Sequence, residues 1–120
     1  MSEVRIYKRD ALDYKTSTVD GTTTQVCRAI GSPVSTTMGA GHEILETAQV
    51  PWTTLYDEVI FMTEGELHIH ADGKTTTGVA GDIMWLPEGT ELIYDAPVRA
   101  AYFYALYPVD WAAQNGMEEP

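Results

Sequence analysis

Apolar residues in this chain recur at every second position and are interrupted at short intervals by turn formers. That alternation constrains the fold most, because successive side chains of an extended strand point to opposite faces, so a period of two describes strands with one buried face. The spacing predicts strands over Val4 to Tyr7, Gln25 to Ile30, Val34 to Met38, His42 to Gln49, Glu58 to Thr63, Glu66 to Ala71, Lys74 to Val79, Asp82 to Leu86, Glu91 to Asp95 and Arg99 to Tyr107. Turn signals separate them at Asp20-Gly21, Gly31-Ser-Pro33, Glu64-Gly65, Asp72-Gly73, Ala80-Gly81, Pro87-Glu-Gly89 and Ala96-Pro97. Asp72-Gly73 is the strongest of these, a two-residue hairpin loop. Helix is confined to Arg9 to Tyr14 and Trp111 to Asn115. The expected fold class is all-β, a sandwich or barrel whose ligand site lies inside, where alternate side chains converge.

A length of 120 residues leaves room for one core and one site. The expected organisation is an N-terminal arm with an edge strand over 1–24, a barrel over 25–111 and a tail over 112–120. Cys27 is the single cysteine, so no intramolecular disulfide forms, and a reducing, cytoplasmic setting is expected. The N-terminus lacks an apolar leader, and no stretch reaches membrane-spanning length. With 18 acidic against 7 basic residues the formal charge is −11, which argues against nucleic acid and anionic membrane partners.

Two motifs sharpen the expectation. Glu58 to Gly65 contains Glu-x6-Gly, and Gly81-Asp-Ile-Met-Trp-Leu-Pro87-Glu-Gly89 contains Gly-x5-Pro-x-Gly. Together, one hairpin apart, they resemble the two motifs of the cupin superfamily, which implies a single-domain jelly-roll barrel. In metal-binding cupins three histidines accompany the glutamate; the matching positions here hold Trp52, Thr54 and Leu92, and only Glu58 survives. The variant sharing this loss is the EutQ family. Its cupin domain is similar to this chain from about Met38 to Trp111, through Pro51-Trp-Thr53, Tyr56-Asp-Glu58, Glu64-Gly-Glu-Leu67, Gly81-Asp82, Leu86-Pro87, Gly89 and Tyr104-x-x-Tyr-Pro108-x-Asp-Trp111. Longer members carry an N-terminal extension where this chain has a short arm.

Glu58 leads the candidate site residues. Alternation puts Trp52, Thr54, Tyr56, Glu58, Ile60 and Met62 on one face, which the resemblance makes the barrel interior. A carboxylate there must be protonated, hydrogen-bonded, paired or bound to a cation. Tyr56 and Tyr104, from the family-like stretches, are candidates beside it for proton transfer or binding. Trp52, Thr54, Met84, Tyr94 and Tyr102 are candidate ligand-binding walls and donors. No cofactor is expected; if a divalent metal binds inside, Glu58 with His42 and Glu46 would hold it. By parity His42 and Glu46 share a face and Glu43 takes the other. His68-x-His70 presents two imidazoles on one side of a strand, but opposite the apolar Leu67 and Ile69, which reads as a surface or dimer-interface pair. Arg28 and Arg99 lie in apolar contexts and need carboxylate partners or exposure; an ion pair at a dimer seam, or a clamp on a substrate carboxylate, would satisfy either.

No phosphate-cradling glycine loop, dinucleotide motif or Ser/His/Asp order is present. The functional expectation is a EutQ-like cupin that binds or transforms a small polar metabolite of amine or two-carbon catabolism. Acetate kinase activity, which the resemblance implies, is one alternative; a non-catalytic, homodimeric scaffold is the other.

Overall fold

Three long strands carry most of the backbone pairing in the computed structural model, which describes residues 3–19 and 21–118. They are β3 (Gly39–Thr53), β4 (Asp57–Ala71) and β7 (Glu91–Tyr107), with β7 in the middle, antiparallel to both neighbours. Shorter strands extend the sheet on either side. β1 (Lys15–Val19) and β2 (Thr22–Ile30) continue outward from β3, while β5 (Lys74–Val79) and β6 (Ile83–Leu86) both pair with β4. A 3-10 turn at Arg9–Ala11 precedes the strands, and a single helical turn, α1 (Trp111–Gln114), follows them.

Each long strand joins segments that the turn residues had separated in sequence. Glu64-Gly65 and Ala96-Pro97 are bends inside continuous strands, and the bends line up across the sheet. The register between β3 and β7 shifts between Glu46 and Ala48, opposite Arg99 and Ala96. That between β4 and β7 shifts at 62–64 and again at 65–68, opposite the same part of β7. Thr47 takes φ 44° and Gly65 φ 71°, the left-handed values that a bulge uses to turn a strand. A sheet bent along one line rolls over on itself, and its concave side becomes the core.

The bend also switches parity. On β3 the inward residue before it is Leu45 and the first one after it Ala48; on β4 Ile60 and Met62 give way to Leu67 and Ile69. A one-residue bulge moves every later side chain to the other face. On the convex side Val59, Phe61, Ile83, Trp85 and Phe103 stay exposed, brought together by the pairings Val59↔Trp85, Phe61↔Ile83 and Phe61↔Phe103.

Asp72 and Gly73 both have positive φ, 53° and 69°, as the two-residue hairpin loop requires. Three sequence expectations are corrected. Val34 to Met38 is a turn region, because Gly31 O accepts from the Val34 and Ser35 amides and Ser35 Oγ accepts from the Thr37 amide, local bonds that displace a ladder. Val4 to Tyr7 is exposed and unpaired, and Arg9 to Tyr14 yields only the 3-10 turn, since neither segment buries an apolar face. Of the Asp20-Gly21 turn, Asp20 lies outside the described residues, as does the end of the tail at 119–120.

Gly65 and Gly73 separate backbone strain from steric fit. A Cβ on Gly65 would lie 1.9 Å from Arg99 O, whereas one on Gly73 meets nothing within 4 Å. Gly73→Ala is expected to cost about 1 kcal/mol, the left-handed penalty alone. Gly65→Ala should cost at least about 3 kcal/mol, because the bend itself must shift. Equal losses in chemical denaturation would refute a structural role for the bend.

Candidate functional site

The concave face encloses a cavity of about 130 Å³ at the end of the barrel closed by α1. Aromatic rings form one wall: Trp111 packs edge-on to Trp52 with centroids 6.0 Å apart and tilted on Tyr56 at 5.0 Å. Two carboxyls and a guanidinium, from Glu43, Glu58 and Arg28, line it as well.

Glu58 is 4% exposed, held on β4 between two pairings, to Leu86 on β6 and Leu106 on β7. Tyr94 Oη donates a 2.8 Å hydrogen bond to its Oε1. Burial pushes the carboxyl up to about 8; the Tyr94 bond pulls it down, and the Glu43 charge pushes it up again. At neutral pH Glu58 is therefore mostly a neutral acid. Glu43, one strand away, is also raised by burial, and is pulled back by the Tyr102 hydroxyl, the Arg28 charge and Thr24. Tyr102 Oη donates to Glu43 Oε1 at 2.6 Å, across the Glu43↔Tyr102 pairing. Arg28 forms no ion pair among the described residues.

Of the residues singled out in sequence, Glu58, Tyr56, Tyr104, Trp52 and Tyr94 all line the cavity. Burial raises the phenols of Tyr56, Tyr94 and Tyr104, so all three stay protonated donors. Trp52 Nε1 is buried without a hydrogen-bond partner within bonding geometry among the described residues. Tyr102 stands behind Glu43 as its hydrogen-bond donor. Thr54 and Met84 do not line this cavity. Thr54 Oγ1 donates to Pro87 O and accepts from the Thr90 amide, pinning the β6–β7 turn, and Met84 packs in the core over Gly78.

The interior set of Glu58, His42 and Glu46 does not assemble. His42 faces outward, bonded to Tyr14 at 2.7 Å and Thr63 at 3.1 Å, and Glu46 pairs with Arg99 at 3.4 Å on the surface. Both precede the β3 bulge, where inward residues have odd numbers, which is why Glu43 enters the cavity in their place. Its cross-strand tyrosine and the arginine on β2 were the available signals for it. Arg99 meets Glu46 and Glu64 within this chain. His68 and His70 lie outside the barrel.

The rolled antiparallel sheet around this cavity has the jelly-roll fold of the cupins. The barrel superposes on an RmlC-like cupin from Shewanella frigidimarina with a TM-score of 0.68 over 88% of this chain and 92% of the other, at 16% identity. The chain belongs to the family described as ethanolamine utilisation protein EutQ, whose model matches residues 1–113. A curated relative from Salmonella typhimurium named acetate kinase EutQ is 36% identical over 74 residues, 62% of this chain and 32% of that protein. The solved EutQ protein of Clostridium difficile aligns with a TM-score of 0.73 at 25% identity, over 77% of this chain and 74% of that one. The chain thus spans about a third of the length of the Salmonella relative.

The raised Glu58 pKa has a stability consequence. Between its ordinary value of 4.5 and about 8 the folded chain keeps a proton that the unfolded chain has lost, so Glu58 destabilises the fold progressively as pH rises through that window. The slope is about 1.4 kcal/mol per pH unit. Glu58→Gln keeps an acceptor for Tyr94 and removes the titration. Its stability relative to the parent should be flat below pH 4.5, rise by several kcal/mol up to pH 8, then level off. A pH-independent difference in urea unfolding would contradict a neutral buried Glu58.

Proposed function

We propose that the barrel interior binds a small primary amine or amino alcohol of the kind the family name implies, ethanolamine itself being the first probe. The observation that carries this reading is a pair of carboxyls, buried Glu58 and partly buried Glu43, facing one aromatic-walled cavity. Burial without a full counter-charge raises both. An ammonium group beside Glu58 would supply that charge, with Trp52, Tyr56 and Trp111 offering ring faces to it. Arg28 sits nearer Glu43 in effect, lowering that carboxyl, which leaves Glu58 for the cation and the Glu43 side for a hydroxyl. A cavity of similar volume in another protein holds one benzene, so about 130 Å³ suits a ligand of about six heavy atoms or fewer.

The name acetate kinase carried by the relatives supports a second reading, in which Arg28 clamps a short carboxylate and neutral Glu58 donates to it. Phosphoryl transfer then needs a nucleotide, which exceeds this cavity and would have to lie outside it against a chain of net charge −11. We also propose that the exposed apolar row of Val59, Phe61, Ile83, Trp85 and Phe103 pairs two copies; a monomer by light scattering would exclude this.

Isothermal titration with ethanolamine tests the main reading. Since the ligand selects ionised Glu58, affinity should rise about tenfold from pH 6 to pH 7, with proton release seen as a buffer-dependent heat. Glu58→Gln should weaken binding at least tenfold and abolish the pH dependence. Binding of acetate in preference to ethanolamine, strengthening as pH falls, would favour the second reading; formation of ATP from acetyl phosphate and ADP would establish it.

A further inference from the structure

Outside the barrel, beyond the bend, β4 and β7 bring together a second polar cluster that the interior site does not use. His68 and His70 project from the convex face of β4, and Asp95 lies on β7 directly opposite His68 in the ladder. Each offers one ligand atom, and these atoms all lie within 4.8 Å of one another. His70 Nε2 is 2.8 Å from Asp95 Oδ2, and His68 Nε2 contacts Glu66 Oε2. The two imidazole centroids are 6.2 Å apart with planes at 75°, so the rings converge without stacking.

We propose that His68, His70 and Asp95 form a binding site for a divalent transition-metal ion, with Glu66 able to close the coordination. Tetrahedral ligands at bond lengths of about 2.0–2.1 Å stand roughly 3.4 Å apart, so side-chain rotations that draw these atoms together by up to about 1.4 Å suffice. Two imidazoles and a carboxylate suit Zn²⁺, or Ni²⁺ and Co²⁺, better than Ca²⁺ or Mg²⁺, which prefer all-oxygen sets. His70 Nδ1 lies 2.8 Å from Thr75 Oγ1, a partner on β5 that orients the ring as an outer contact does in metal sites. All three residues are partly buried, and His70 also borders an open groove against the β4–β5 hairpin, which gives an ion a path from solvent. In sequence His68-x-His70 reads as a surface or dimer-interface pair, because Asp95 is 25 residues away from His70 and adjacent only through the ladder. An ion held here would tie β4 to β7 just past the bend.

The test is titration of untagged protein with Zn²⁺ alone, followed by elemental analysis after gel filtration. One equivalent should remain bound, the thermal midpoint should rise and fall again with chelator, and Co²⁺ should give the visible d–d absorption of a low-symmetry site. His68→Ala and His70→Ala should each weaken Zn²⁺ at least tenfold, and Asp95→Asn severalfold. Because exchange of His70 could loosen the hairpin, His70→Gln with an unchanged circular dichroism spectrum serves as the second variant. Glu58→Gln should bind Zn²⁺ as the parent does, which separates this site from the interior one. Less than half an equivalent retained, or an affinity equal to the parent's in both histidine variants, would overturn the proposal.

Discussion

Everything in this barrel depends on the bend that crosses β3, β7 and β4 in register. Long strands without it would make an open twisted sheet, with one face too broad to cover. The bulge at Thr47, the corner at Gly65 and the unpaired Pro97-Val98 step let three adjacent strands turn together, so ladder pairing resumes on both sides. Gly65 is required because Arg99 O occupies the space a side chain would need. The same bend sends Glu43 and Glu58 into one cavity and His68, His70 and Asp95 onto one patch outside.

The interior is unusual in its electrostatics. At the positions matching the histidines of metal-binding cupins, this chain has Trp52 and Leu92 packed in the wall and core and Thr54 turned to a backbone carbonyl. What remains are carboxyls satisfied by phenols. Each hydrogen bond from Tyr94 or Tyr102 lowers the cost of burying its glutamate, but neither supplies a charge, and the carboxyls stay above their ordinary range. Under the proposed reading, a ligand that brings its own positive charge would offset this cost, and its binding would release a proton near neutrality.

Much of the site was legible in sequence because β4 and the later part of β3 obey simple alternation. Trp52, Tyr56 and Glu58 follow in period two with no bulge between them, and Tyr94 and Tyr104 share their parity on β7. Glu43 and Arg28 were legible only in part, Arg28 as an ion-pair partner or carboxylate clamp and Glu43 as taking the face opposite His42 and Glu46, because they lie upstream of the β3 bulge and on a separate strand, where parity counted from Glu58 no longer holds. Thr54 shows the opposite failure: its parity is right, but the chain is leaving the strand there and its hydroxyl is taken by Pro87 and Thr90.

Local sequence is enough to establish that the chain is all-β, where its hairpin loop falls, that Glu58 is buried, and which family its motifs resemble. These follow from local information: side-chain period, backbone-permissive glycines and a charged residue in an apolar face. The tertiary structure alone decided which turn signals are bends within strands, which acidic residue joins Glu58, and that two histidines meet an aspartate. Those are cross-strand facts, set by ladder register, and register depends on bulges that shift pairing by single residues without leaving a periodic trace in the chain.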